Sequence, residues 1–181
     1  MIRSICKRLL VCIVCLMLLA GVTLAETDFT PSADADPAEL MEEAMEVYGW
    51  FALCPLDVDP YMPSADGNLY RVLDSRLNTP EAMRAVLESY FSDEICDQLM
   101  TSGVYVAEDG WLYTGMEYRE ADPTIAAVEY YLTEQTDSQQ WYTAAVYYST
   151  EEGEITSIDE YTYLRELIGD RWVFTDFWFF R

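Results

Sequence analysis

The acidic segment at residues 57–68 has the spacing in this sequence that comes closest to a ligand-binding motif. Asp57, Asp59 and Asp66 place carboxylates at intervals that could surround a calcium ion. An EF-hand loop needs a glycine where Met62 stands and a closing glutamate, and this segment has neither. The sequence therefore predicts no metal site here. We expect an exposed loop instead, because prolines and an Asp-Gly-Asn turn interrupt any regular pattern.

Catalytic motifs are missing from the rest of the chain. It contains no histidine, the side chain that most often serves as general base or zinc ligand. Cys54 and Cys96 have no basic neighbour in sequence that would activate a thiolate. No glycine-rich phosphate loop is present, and the 33 acids are too many for any one carboxylate pair to indicate catalysis. We therefore predict that the protein is not an enzyme and carries no cofactor.

Residues 1–25 have the features of a signal peptide. Three basic residues among the first eight precede an uncharged apolar run at 9–24, and Thr23 and Ala25 are small residues at the positions a signal peptidase reads. An uncleaved membrane anchor is the alternative, but the run is short against the roughly 20 apolar residues that span a bilayer. We predict cleavage after Ala25 and an exported protein that is secreted or cell-wall associated, with no membrane contact after cleavage.

The exported chain is strongly acidic. Its 7 basic residues, all arginine, stand against 33 acids and give a formal charge of −26. Nucleic acid and anionic membranes are thereby excluded as expected partners, since both bind cationic surfaces. A basic protein partner fits this charge, and a merely solvated acidic surface is the simpler explanation.

Two cysteines follow the signal peptide, Cys54 and Cys96. In an exported protein one pair permits one disulfide, which would stabilise the fold by about 4 kcal/mol in the chain-entropy model. Two buried free thiols are the alternative, because two cysteines carry little of the pattern that six would.

Two consecutive helices are predicted within residues 78–97. Thr79 and Ser92 are suited to cap them, and Pro80 supplies the backbone angle wanted at the first helical position. The first helix has one apolar stripe, formed by Met83, Val86, Leu87 and Tyr90. An earlier helix begins at Asp36 and Pro37.

Extended segments follow these helices. Turn residues at 108–110 join two short strands, and strands are expected at 125–133, 141–150 and 172–180. Residues 155–167 alternate like a strand, although their end could be helical. Helices followed by strands predict a single α+β domain at 36–181, with the helices on one face of a curved antiparallel sheet, after a flexible leader at 26–35.

Several short motifs resemble a known family. They are Tyr-Arg-Val at 70–72, Asn-Thr-Pro-Glu-Ala-Met at 78–83, Tyr-Phe-Ser-Asp-Glu at 90–94 and Asp-Gly-Trp-Leu-Tyr at 109–113. In this order and spacing they resemble the IseA-type DL-endopeptidase inhibitors, a family of secreted bacterial proteins. The hairpin at 169–177 is similar to the closing hairpin of cystatin-like, nuclear transport factor 2-like domains. The resemblance implies a helix-on-curved-sheet fold and, for its namesake members, inhibition of cysteine-type peptidoglycan endopeptidases. The matching residues are structural, so no inhibitory residue is carried across.

Two functions of different classes follow. The first is a secreted, non-enzymatic binding module that blocks a basic cell-wall hydrolase, with Asp57, Asp59, Tyr61 and Asp66 as the expected contacts. The second is a small-ligand-binding or catalytic pocket domain of the same fold, lined by aromatic residues such as Tyr130, Tyr147 or Trp172. An acidic secreted domain with an unrelated partner is also compatible with the sequence, because a fold alone does not define a function.

Overall fold

A computed structural model describes residue 31 and residues 35–117, 119 and 121–180. The predicted signal peptide and nearly all of the predicted leader lie outside these residues. The described helices are α1 (Pro37–Ala52), α2 (Pro80–Tyr90) and α3 (Asp93–Met100). The described strands are β1 (Val58–Pro63), β2 (Tyr70–Val72), β3 (Tyr105–Glu108), β4 (Trp111–Thr114), β5 (Ile125–Gln135), β6 (Gln139–Ser149), β7 (Ile155–Ile168) and β8 (Arg171–Asp176).

The predicted α+β class is confirmed. All strand pairs are antiparallel, and helices pack against the strands, α1 on β5 and α2 on β8. The strands do not form a single sheet, however. They form two four-stranded sheets, with the orders β1-β2-β4-β3 and β5-β6-β7-β8. Among the described residues, no helix is long and apolar enough to cross a membrane.

Helix α1 begins as its sequence predicts. The Asp36 carboxylate accepts a hydrogen bond from the Ala38 backbone N–H at 2.9 Å, and Pro37 occupies the first turn. Its buried surface is wider than a single stripe and includes the apolar side chains of Leu40, Met41, Ala44, Met45, Val47, Trp50 and Phe51. The exposed glutamates occupy the opposite side, so the helix is amphipathic with a broad apolar face.

Helices α2 and α3 meet at Phe91, which joins them to the second sheet. Phe91 forms an isolated parallel bridge with Phe174 of β8, and the Ser92 backbone N–H donates to the Phe174 carbonyl at 2.9 Å. Met83, Leu87 and Tyr90 are buried as predicted, whereas Val86 is only half-buried at the edge of the stripe. The joint therefore fixes both helices on the sheet through backbone as well as side-chain contacts.

We expect replacement of Thr79 by alanine to destabilise the fold by about 1 kcal/mol. The Thr79 hydroxyl accepts the Ala82 backbone N–H at 3.2 Å, and alanine would leave that donor without its cap. Urea denaturation measures the effect. Thr79→Ser keeps the hydroxyl and should retain most of the stability, so equal losses in both variants would contradict the cap.

The core is dominated by aromatic rings between the helices and the second sheet. Phe177 packs on Phe91 and Tyr163 with ring centroids 5.0 Å away in each case, and on Phe174 at 4.8 Å. The last predicted strand is wrong beyond Asp176, where β8 ends. Residues 177–180 leave the sheet because burying Phe177 and Phe180 among other rings replaces further strand pairing.

The uncertain segment at 155–167 is a strand over its whole length. Residues of β7 pair with β6 from Ile155 opposite Ser149 to Glu166 opposite Gln139, so the helical alternative at its end does not form. The turn predicted before β4 is also present. Asp109 and Gly110 have φ angles of 48° and 82°, a left-handed pair that matches the twist of a two-residue hairpin.

Candidate partner-binding site

The segment predicted as a loop at 57–68 is in large part an edge strand. In β1, Val58 lies opposite Val72 and Asp59 opposite Arg71, and the register shifts before Pro63 pairs with Tyr70. The loop prediction is therefore wrong at 58–63. Prolines and aspartates indicated a loop, but a strand at the edge of a sheet tolerates proline because one side of its backbone has no partner strand.

Asp66 organises the turn between β1 and β2. Its carboxylate accepts hydrogen bonds from the Ser64 hydroxyl at 2.7 Å, the Asn68 backbone N–H at 3.1 Å and the Asn68 side-chain amide at 2.9 Å. The hydrogen bond from the Ser64 hydroxyl is the largest cause, followed by those from Asn68, of a pKa for the Asp66 carboxyl that lies below its ordinary value of 3.8. Since the folded state favours the charged form, the contribution to stability is present above that value and is lost as the pH falls through the lowered pKa.

A residue from another hairpin also holds this turn. The carboxylate of Glu108, at the end of β3, accepts the Ala65 backbone N–H at 3.0 and 3.4 Å. No local pattern predicts this contact, because the two residues are 43 positions apart in sequence. The carboxylates of Asp66 and Glu108 thus both stabilise this turn. The hydrogen bonds of Asp66 lie within its own hairpin, so its role is structural.

Tyr61 is the most exposed large apolar side chain among the described residues, with 88% of its surface accessible. Its backbone N–H donates to the Asp59 carboxylate at 2.9 Å, which fixes the strand on the N-terminal side of the ring. Asp59 is half-buried, and Asp57 is exposed. Of the four predicted contacts, Asp57, Tyr61 and Asp66 are thus exposed, and Asp59 is half-buried.

Sequence reasoning missed two neighbours of these residues. The Arg71 guanidinium, on the strand next to β1, lies 4.7 Å from the ring centroid of Trp111, a cation–π contact. Trp111 remains 38% exposed. Arg71 and Trp111 both belong to motifs that carry the family resemblance, which predicts a structural role for them. We call Asp57, Asp59, Tyr61, Arg71 and Trp111 together the hairpin surface.

The clefts in the described part of the chain include four with volumes of about 280 to 430 Å³. The one beside β1 has a volume of about 430 Å³ and includes Asp57, Leu73 and Met116 in its lining. The others measure about 340, 310 and 280 Å³. None of the four is lined by Tyr130, Tyr147 or Trp172. The residues expected for a ligand pocket therefore lie elsewhere, and the Tyr147 hydroxyl donates to Glu129 at 2.8 Å.

Cys54 and Cys96 are both free thiols, so the disulfide that the sequence permits is not formed. Each sulfur has its own acceptor: Cys54 Sγ donates to the Pro55 carbonyl at 3.7 Å and Cys96 Sγ to the Phe91 carbonyl at 3.7 Å. The alternative of two buried thiols holds only for Cys96, because Cys54 is exposed.

Within the described ranges, cysteine, aspartate and glutamate side chains form no group of three or more that could hold a metal ion. The aspartates at 57, 59 and 66 do not converge on one point, since Asp59 and Asp66 bond to the backbone of their own hairpin.

Comparison with known proteins adds no assignment: no protein family matches the chain, and no curated protein matches it. The family resemblance of the short motifs therefore remains an interpretation of this sequence. The hairpin surface is therefore the basis on which we propose a function.

Proposed function

We propose that the chain is a secreted, non-enzymatic binding module that inhibits a cysteine-type DL-endopeptidase of the cell wall by docking the hairpin surface onto it. The observation that carries the proposal is the 88% exposure of Tyr61 on β1, a strand that contains Pro60 and Pro63. An exposed ring of this size keeps apolar surface in contact with water, and an interface that covers the ring removes that surface from water. Tyrosine, tryptophan and arginine are the side chains that most often dominate binding energy.

The hairpin is held rigidly, which favours docking. Asp59 and Asp66 bond to their own backbone, and Glu108 holds the turn from the neighbouring hairpin. A contact surface that is already ordered loses less conformational entropy on binding than a mobile loop. The edge strand itself is a poor template for strand addition, because Pro60 offers no backbone N–H. Side chains rather than backbone pairing are therefore the contacts we infer.

Charge selects the kind of partner. With a formal charge of −26 on the exported chain, a basic catalytic domain is attracted over a longer distance than a neutral one. Such steering raises the association rate and weakens as salt increases. Asp57 is the exposed charged residue of this surface, whereas Asp59 and Arg71 are half-buried.

We expect Tyr61→Ala to weaken inhibition by at least about tenfold, the size of a hot-spot truncation of about 1.4 kcal/mol or more. The measurement is a titration of the chain beginning at Glu26 into a purified cysteine-type DL-endopeptidase at low and high salt. Ile168→Ala, at an exposed position at the end of β7, is the matched apolar control and should leave inhibition unchanged.

Separate aspartate variants distinguish contact from support. Asp57→Asn should slow association at low salt, whereas Asp66→Asn should act through the turn and lower stability as well. An unaltered chain that fails to inhibit any co-occurring endopeptidase at micromolar concentration would refute the proposal. Full inhibition by Tyr61→Ala would show that the hairpin surface is not the contact.

A further inference from the structure

At one end of the second sheet, β5, β6 and β7 extend beyond the last pair of β8. Six consecutive residues of β7, at 155–160, are all exposed, although alternate side chains of a strand point to opposite faces. Neither face of β7 is therefore covered at these residues within the described part of the chain. Their neighbours Ala145 and Val146 on β6, which pair with Glu160 and Asp159, are buried, so between these two strands the exposure is confined to β7.

The outer edge of this segment has no strand beside it. β8 pairs with β7 only from Leu164 to Ile168, while β6 occupies the other side. Residues 155–160 thus present one row of backbone N–H and C=O groups without a described strand to receive it. The segment contains no proline and no lysine, two residues that commonly protect such edges from pairing.

The side chains along the edge combine apolar and acidic groups. Ile155 and Ile158 are each 53% exposed, an uncommon position for isoleucine on a strand that nothing covers. Asp159 and Glu160 are also exposed, and the Glu160 carboxylate accepts the Tyr131 hydroxyl at 3.3 Å from across the sheet. Tyr131 belongs to β5, on the far side of β6 from this edge, and the edge carries negative charge beside an apolar side chain.

We propose that residues 155–160, the β7 edge, bind an extended, lysine- or arginine-bearing segment of a partner protein, which adds a strand to the second sheet. Backbone pairing would provide the affinity, and alternate side chains would provide the selectivity. A lysine or arginine of the partner lies across from Glu160 and packs its aliphatic stem on Ile158, which is on the same face, while the alternate residues of the partner face the other side of the sheet. Opposite charges placed across neighbouring strands stabilise the pair, and like charges destabilise it.

Charge complementarity selects this occupant over a second copy of the chain. Two copies paired along this edge would join two segments that each carry Asp159 and Glu160, on molecules whose residues 26–181 each have a formal charge of −26. A cationic strand meets the same groups with attraction. The β7 edge belongs to a different sheet from the hairpin surface, and this inference does not rest on the proposed inhibition.

The probe is an end-blocked octapeptide of alternating lysine and valine, added to the chain beginning at Glu26 at physiological salt. We expect measurable binding by calorimetry and slowed amide hydrogen exchange confined to the β7 edge. A lysine–proline octapeptide carries the same charge but lacks alternate backbone N–H groups, and it should bind at least about tenfold more weakly. Equal binding of the two peptides, or no protection of residues 155–160, would overturn the proposal.

Matched variants test the position of the contact. Glu160→Lys should weaken binding of the lysine–valine peptide by at least about tenfold, and Glu46→Lys on the exposed side of α1 makes the same change of charge away from the edge and should weaken it by less than about twofold. Equal losses of binding in the two variants would show that the peptide is attracted by the overall acidic charge of the protein and not by the β7 edge. Self-association of the unaltered chain that protects the same amides would overturn the cationic occupant in favour of a second copy.

Discussion

Replacement of Phe91 by alanine is expected to lower the free energy of unfolding by about 3–5 kcal/mol. Phe91 is fully buried, and its ring packs on Tyr48, Phe174 and Phe177 at centroid distances of 5.8, 6.3 and 5.0 Å. Alanine would leave a cavity where the two helices meet the second sheet. Since α2 and α3 are too short to be stable alone, loss of this joint affects both at once.

Urea denaturation monitored by near- and far-ultraviolet circular dichroism measures this loss. Tyr61→Ala removes an aromatic ring of similar size from an exposed position and should change stability by less than about 0.5 kcal/mol. Similar midpoints for the two variants would contradict the placement of Phe91 at the centre of the core.

Alkylation of the chain beginning at Glu26 at pH 8 is expected to modify Cys54 and to spare Cys96 until the protein unfolds. Cys54 is exposed, whereas Cys96 is fully buried, and burial raises the pKa of the Cys96 thiol to about 12. An ordinary thiol has a pKa of about 8.5, so the reactive thiolate of Cys96 is rarer at pH 8 by about three orders of magnitude. Restricted access slows the reaction further.

Mass spectrometry after alkylation under native and denaturing conditions reads out this difference. One modification in the native protein and two in denaturant are expected, and Cys54→Ser should abolish the native one. Protection of both thiols in denaturant without reductant would contradict the free thiols and indicate the disulfide that the sequence also permits.

Local signals predicted the helices and the tight turns well. The caps at Asp36, Thr79 and Ser92 depend on side chains that bond to backbone groups two or three residues away, so neighbouring letters suffice to find them. The Asp109–Gly110 turn is found for the same reason, because few residues adopt left-handed backbone angles easily. The α+β class followed from the order of these elements along the chain.

Elements that depend on distant partners were harder to predict. β1 has the composition of a loop but forms a strand because it pairs with β2. Its prolines are tolerated because no described strand pairs with its other edge. The end of β7 is extended rather than helical because β6 and β8 pair with it on both sides. Such pairing energy comes from residues far away in sequence, which propensity does not register.

The sequence by itself determined the caps, the order of helices and strands, the acidic charge of residues 26–181 and the absence of histidine side chains. Each of these depends on residue identity or on near neighbours in the chain. Only the tertiary structure decided that the strands divide into two sheets, that Asp66 and Glu108 hold a turn that leaves Tyr61 exposed, and that the β7 edge has no described strand beside it. These features arise where segments distant in sequence meet or fail to meet. Burial and exposure are properties of that packing, not of any single stretch of the chain.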